Sequence, residues 1–327
     1  MDFCLNLFRK LARSLAPTCL TSDYIRMSFA LDAQSEGKKL YFEDPDIPIY
    51  ETNSIRIGLF RCHPDHPLFE DSGPIDGNLL VFPRTSVYIQ HAGGEPIVTS
   101  PNVVMFYNPG QVYRRYKISE RGDYCEWFAF DDRVIVEALR PFDSKIEAHA
   151  ERPFDLTHGL SDTTCYLLQR KVVEHLLSEV QPDELFIEET MLWILERTIE
   201  RAYRRPRQLR ADRSDQRERV RAVQAALTAR FQEHLSLEKL AREFDYSSYY
   251  LCRIFRQHTG LTIHQYLTQV RLRTALEWMA DHECNLADLA FRLGFSSQSH
   301  FTLAFRKAFG APPTQITGGL FPPSQRN

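Results

Sequence analysis

A helical pattern written twice between Glu218 and Thr317 constrains this chain more than any other feature. In the first copy Leu237, Leu240, Ala241, Phe244, Tyr246, Ser247, Leu251, Phe255, Arg256 and Gly260 mark an apolar stripe, a turn, a second stripe and a stop. Leu286, Leu289, Ala290, Leu293, Phe295, Ser296, Phe301, Phe305, Arg306 and Gly310 repeat the pattern. The offset is 49 residues up to the serine and 50 beyond it, so one residue has been added beside the second turn. Self-similarity of this kind points to two copies of one supersecondary unit.

Each copy reads as a helix-turn-helix on physical grounds. The spacing of Leu237, Leu240, Ala241 and Phe244 gives a short first helix one apolar face, with Ser236 as its N-cap. In the second copy Asn285 caps, and Asp288 puts a negative charge near the helix N-terminus, where the backbone dipole favours it. Small Ala241 and Ala290 let two steeply crossing helices approach. The turn needs a residue with positive φ, supplied by Gly294 in the second copy and by Asp245 in the first. Ser247 and Ser296 are expected to cap the second helices, whose outward sides are polar.

Arg271-Leu272 through Ala275, Met279, Leu286, Leu289-Ala290, Gly294-Phe295, Phe301, Phe305, Gly310 and Pro312-Pro313 resemble the second-motif signature of the AraC/XylS transcription regulators. The resemblance covers about 100 residues. It implies a seven-helix DNA-binding domain over 218–317, with two recognition helices held by a long connecting helix, here about Ile263 to Asp281. Such a frame would set them in successive major grooves, about 34 to 36 Å apart.

At 327 residues the chain predicts about two domains, each able to bury a core. No apolar run approaches the ~20 residues of a membrane span, which leads to a cytoplasmic expectation. Seven cysteines without regular spacing suggest reduced, structural thiols. The net charge is −3, but residues 218–317 hold 12 Lys/Arg against 9 Asp/Glu, while residues 1–217 hold 27 against 34. The positive end is the repeat, and its excess is small enough that the placement of arginines on one face must matter more than their total.

Residues 1–26 carry an amphipathic pattern around Phe3, Leu7, Phe8, Leu11 and Leu15, read either as a surface anchor or as a poorly ordered extension ahead of Met27. From Ile47 to Phe130 short strands alternate with Pro and Gly turns: Ile55–Phe60, Asn78–Pro83, Ser86–His91, Pro96–Thr99, Val103–Tyr107, Val112–Ile118 and Tyr124–Phe130. That rhythm means a barrel or sandwich. It resembles the cupin-like β-barrel that often precedes this DNA-binding domain, which gives an effector-binding domain over 27–143 and an α+β multidomain protein. Metal-binding cupins carry histidine ligands; Tyr113 stands where a late histidine is expected, so neither a metal nor another cofactor is assigned. A short helix over 131–142 is expected to close the barrel. Residues 144–204 supply two amphipathic helices, Asp162–Val180 and Pro182–Arg205, whose stripes are either a dimer seam or packing for the barrel. The arginine-rich stretch 205–217 reads as a linker, and 318–327 as a tail.

Outward residues of the first recognition helix are Ser248, Tyr249, Cys252, Arg253 and Arg256. Arg253 suits guanine, because its fork matches O6 and N7 together, and Arg256 suits phosphate. The resemblance puts Tyr249 and Arg253 at base-contacting positions. On the second helix Ser297, Gln298, Ser299, His300 and Thr302 face out, with Gln298 suited to adenine and Arg306 and Lys307 to phosphate. Leu303 departs from the family, which commonly has arginine there, and this weakens base readout by the second motif. In the barrel Tyr88, His91, Tyr107, Tyr113, Arg114, Tyr116 and Trp127 are candidate effector-pocket residues, although aromatics also pack any barrel core. The Cys62-His63-x-x-His66 cluster offers metal-type ligands in a loop between prolines. A cupin-type enzyme is the competing reading, yet the chain has no Gly-rich phosphate loop or nucleophile elbow. The partners expected are double-stranded DNA, a small-molecule effector, a second copy of the chain and, as a candidate, RNA polymerase; no membrane is expected.

Overall fold

The computed structural model describes residues 44–177, 183–204, 214–281 and 285–320. The extension 1–26, residues 205–213 of the linker and the tail beyond 320 lie outside them.

The N-terminal half has strands β1 (Asp46–Glu51), β2 (Ile55–Cys62), β3 (Asn78–Pro83), β4 (Val87–His91), β5 (Ile97–Val98), β6 (Val103–Tyr107), β7 (Tyr113–Lys117), β8 (Asp123–Phe130) and β9 (His158–Leu160). Alternation in the sequence located seven of these, and β1 and β9 are additional. The turns form as their residues require: Gly93 and Gly110 adopt φ of 71° and 72°. The barrel expectation needs correction. The strands form two antiparallel sheets, a six-stranded one in the order β1-β2-β8-β3-β6-β9 and a three-stranded one in the order β5-β4-β7, and neither closes on itself. Edge strand β1 carries Pro48, which has no N–H to offer a further ladder, and β9 has only three residues.

Strand β3 shows why the larger sheet needs cover on both sides. Leu79 and Val81 point toward the smaller sheet and pack with Phe60, Val87, Ile89 and Met105. Leu80 and Phe82 point the other way, into a second cluster with Ile57, Phe106 and Phe128. Both faces are apolar, so helices must shield the second one. Helix α1 (Asp132–Leu139) does so together with α2 (Thr163–Leu177) and α3 (Glu184–Tyr203). Leu167, Leu168, Val172, Ile187, Met191, Ile194, Leu195 and Ile199 are each no more than 2% exposed. Most of the stripes considered as a dimer seam is thus buried within one chain, while Leu176 and Phe186 of the same stripes are half-buried.

The C-terminal half consists of α4 (Ser214–Ala229), α5 (Leu237–Glu243), α6 (Ser248–Thr259), α7 (Ile263–Asp281), α8 (Leu286–Arg292), α9 (Gln298–Phe309) and α10 (Pro313–Leu320). Helix α4 begins within the span read as linker. Connecting helix α7 is buried on nearly every side, as a helix between two bodies must be. Leu267, Leu272, Ala275, Leu276 and Met279 belong to the continuous core, while polar Arg273 and Glu277 are 1% and 4% exposed.

Those polar residues dock α7 onto the N-terminal half. Arg273 donates through Nη1 to Pro101 O (2.7 Å) and Asn102 Oδ1 (2.8 Å), and through Nη2 to Ser161 O (3.0 Å). Asn102 in turn donates to Tyr266 O at 3.0 Å. Glu277 Oε1 accepts from Tyr166 OH and from Arg170 Nε, each at 3.1 Å, and the carboxylate also pairs with Arg84. Arg170, Arg61 and Arg84 share a second buried carboxylate, Glu126, at 2.8, 3.1 and 3.4 Å. Burial pushes the Glu277 carboxyl up, and Arg170 and Arg84 more than offset it, so it sits below the ordinary carboxylate range. A buried cluster of this kind adds little net stability, yet losing one member leaves its partners uncompensated, at a cost of about 3–5 kcal/mol.

Candidate nucleic-acid interface

The two helix-turn-helix units form as their turn and cap residues dictate. Ser236 Oγ accepts from Lys239 N (3.2 Å) and Asn285 Oδ1 from Ala287 N (2.8 Å), which caps α5 and α8. Ser247 Oγ accepts from Tyr250 N at 3.2 Å and caps α6. In the second unit the cap is Ser297, whose Oγ accepts from His300 N at 3.1 Å, and not Ser296, which pairs with His300 Nδ1 instead. The extra residue therefore lies before the capping serine. Ala241 and Ala290, 2% and 0% exposed, sit at the helix crossings.

Both turns use positive φ, 57° at Asp245 and 79° at Gly294. Gly294 has a second reason to be glycine: a Cβ there would lie 2.6 Å from Gln232 O and 2.7 Å from Arg271 Nη2. Arg271 is the residue that ties the two units. From α7 it donates to Phe231 O (2.7 Å) and Glu233 O (2.8 Å) beside the first unit, while its Cζ lies 5.8 Å from the Phe295 ring of the second.

The apolar sides of α6 and α9 are buried through Leu251, Ile254 and Phe255, and through Phe301, Phe305 and Phe309. Their other sides stay open. On α6, Tyr249 is 79% exposed, Cys252, Arg253 and Arg256 are exposed, and Ser248 is half-buried. Arg253 Cζ lies 5.1 Å from the Tyr250 ring, within cation–π range. On α9, Gln298, Ser299, His300, Arg306 and Lys307 are exposed, Ser297 and Thr302 are half-buried, and Leu303 is 70% exposed. Every residue proposed from sequence for base or phosphate contact thus lies on one of two solvent-facing helix sides, with Ser297 spent on capping.

The N-terminal half holds a cavity of about 290 Å³ between its two sheets. Tyr107, Tyr113 and Trp127 line it. Trp127 lies across β2 at Gly58, where a Cβ would fall 2.2 Å from the indole, and its Nε1 donates to Asp46 Oδ1 at 2.5 Å. His91 stands behind the wall, its ring 5.4 Å from that of Tyr107 and its Nδ1 3.0 Å from Gln111 Nε2. Tyr88, Arg114 and Tyr116 do not line the cavity: strand alternation puts them on the opposite faces of β4 and β7. The same parity turns Arg115 inward, a residue that sequence reasoning passed over although it stands two positions from Tyr113. Arg115 is fully buried and reaches Asp123 Oδ2 (2.6 Å), Phe69 O (2.6 Å) and Tyr113 OH (2.7 Å). Burial holds the Asp123 carboxyl above its ordinary range despite Arg115. The Tyr107 phenol is pushed well above its usual value by burial and stays neutral.

The Cys62–His66 loop does not gather ligands. Cys62 is fully buried, burial pushes its thiol up to about 12, and His63 and His66 each accept a backbone N–H through Nδ1. Among the described residues no group of three His, Cys, Asp or Glu side chains is arranged to hold a metal ion. No helix among them is long and apolar enough to cross a membrane.

A family model and curated relatives match about the last third of the chain or less. Residues 240–318 match the family model described as a helix-turn-helix domain. Over 101 residues the chain is 36% identical to the HTH-type transcriptional activator RhaS of Enterobacter sp. (strain 638), an alignment covering 31% of this chain and 36% of that one. The chain thus spans about a third of the length of the curated relatives it matches. Among solved structures, the C-terminal domain of AraT, a response regulator from Geobacillus stearothermophilus, is similar at 28% identity, covering 33% of this chain and 93% of that one with a TM-score of 0.31. ToxT from Vibrio cholerae covers 82% of this chain and 99% of its own at 11% identity and a TM-score of 0.33. The C-terminal domain of the present protein is a helix-turn-helix domain of the AraC type.

Proposed function

We propose that the protein is a sequence-specific DNA-binding transcription regulator. Its two recognition helices, α6 and α9, enter neighbouring major grooves, and its N-terminal domain binds a small-molecule effector between the two sheets. The observation that carries this reading is the contrast within α6 and α9: one side of each is packed into the core, and the other presents Tyr249, Arg253, Arg256, Gln298, Arg306 and Lys307 to solvent. Arg253 reads guanine and Gln298 adenine; Arg256, Arg306 and Lys307 hold phosphates, which supply affinity without sequence preference. The seven helices α4–α10 act as one DNA-binding unit, and the regulator works as a homodimer that engages RNA polymerase.

The aromatic side chains of Tyr107, Tyr113 and Trp127 that line the cavity between the sheets support an effector site there. Such a ligand changes DNA occupancy only through a difference in its affinity for two arrangements of the chain.

The test is selection of bound duplexes from a randomised pool by the full chain. The expected product is two conserved blocks about 10–10.5 base pairs apart, centre to centre. A pool still random after repeated selection at low salt would remove the reading.

A further inference from the structure

The repeat sets Leu303 of α9 where Arg253 stands in α6. Beyond the serines the two copies are offset by 50 residues, so Leu251, Phe255 and Arg256 correspond to Phe301, Phe305 and Arg306, and Arg253 corresponds to Leu303. Both positions lie on the open side of their helix. Phe301, Phe305 and Phe309 recur every four residues and face the core, and Leu303, two residues after the first of them, points nearly the opposite way. It is 70% exposed, with Ser299, Arg306 and Lys307 one turn away on the same exposed side. A lone exposed leucine is ordinary on a protein surface. This one sits at the centre of a polar and basic helix side, in the place that the other unit gives to a guanidinium. We propose, resting on the DNA-binding reading above, that Leu303 selects thymine at one position of the binding site by contact with its C5-methyl group.

The chemistry of the side chain excludes the other bases. Leucine carries neither donor nor acceptor, so it cannot match the O6 and N7 of guanine, the N6 and N7 edge of adenine or the N4 amine of cytosine. Set against any of these it would take water from a polar edge and return no hydrogen bond. Thymine alone offers an apolar group in the major groove, and burying it against an aliphatic side chain removes both from water. Two units built on one plan thus read unlike bases from the same helix position, guanine through Arg253 and thymine through Leu303. The two conserved blocks of the site then differ in sequence, and the difference fixes the direction in which one chain lies along the duplex.

The probe is deoxyuridine, which differs from thymidine only by lacking the methyl group. Each thymine of a duplex selected by the full chain is replaced in turn, and affinity is measured by competition at fixed salt. One replacement is expected to weaken the parent chain about fourfold, the worth of one buried methyl at about 0.8 kcal/mol with 1.4 kcal/mol for each tenfold. In Leu303→Ala the same replacement should have no measurable effect, whereas Arg253→Ala should keep the loss of about fourfold, since distant sites act independently. Leu303 is exposed and alanine is the stronger helix former, so a folded variant is expected, checked by its melting curve. Two results would overturn the role of Leu303 while DNA binding stands: a site in which every thymine can be replaced without loss, or a replacement penalty that persists in Leu303→Ala. A pool that stays random throughout selection removes the DNA-binding reading itself, and this role with it.

Discussion

Arg253 and Arg273 lie twenty residues apart in one domain, and their surroundings are opposite. Arg253, on α6, is exposed, with the Tyr250 ring beside it and no carboxylate engaged among the described residues. Arg273, on α7, is 1% exposed and donates to three oxygens of the N-terminal half. One side of the domain keeps its charges free for an outside partner; the other consumes them to fix where the domain sits. The difference teaches that a modest positive excess can serve two purposes, and that only burial separates them.

The largest expected effect breaks the docked side. Glu277→Ala strips Arg84 and Arg170 of a shared carboxylate, and should lower unfolding stability by about 3–5 kcal/mol while leaving DNA sequence preference intact. Urea denaturation checks the first part; a loss under about 1 kcal/mol would mean that water reaches the cluster. Next comes the free side, where Arg253→Ala should cost about 1–3 kcal/mol on the selected duplex and relax choice at one base pair, with no change in stability. Equal loss on random DNA would move Arg253 from base to phosphate. Smaller still, Arg306→Ala should weaken binding to all sequences alike and reduce the slope of log affinity against log salt by about 0.9. Filter binding across a salt series measures it, and an unchanged slope counts against a phosphate role. Leu303→Arg is the converse probe, expected to steepen that slope by about the same amount if α9 lies along the duplex as α6 does.

Much of the C-terminal domain was legible in advance because each element is fixed by its neighbours in sequence. Caps at Ser236, Ser247 and Asn285, the positive φ of Asp245 and Gly294, and the small Ala241 and Ala290 are local requirements. Ser296 was misread as a cap because the repeat locates the inserted residue only to within one position of the serine. In the N-terminal half strand rhythm was local and readable, whereas closure was not: whether a sheet curls into a barrel depends on which edges meet. The pocket candidates show the same limit. Tyr107, Tyr113 and Trp127 reach the cavity, while Tyr88, Arg114 and Tyr116 do not, because a residue type says nothing of which face of a strand it occupies.

By itself the sequence determined the doubled helix-turn-helix, its turn chemistry and the polar sides of its recognition helices, since 3.6-residue periodicity and capping act over a few residues. Tertiary structure decided what the long helices are for. It spent the stripes of α2 and α3 on the open face of a six-stranded sheet, and it set Arg273 and Glu277 into buried partners contributed by residues 84 to 170. No spacing rule along the chain announces such contacts, because they are made by groups more than a hundred residues apart whose charges are stable only when brought together out of water.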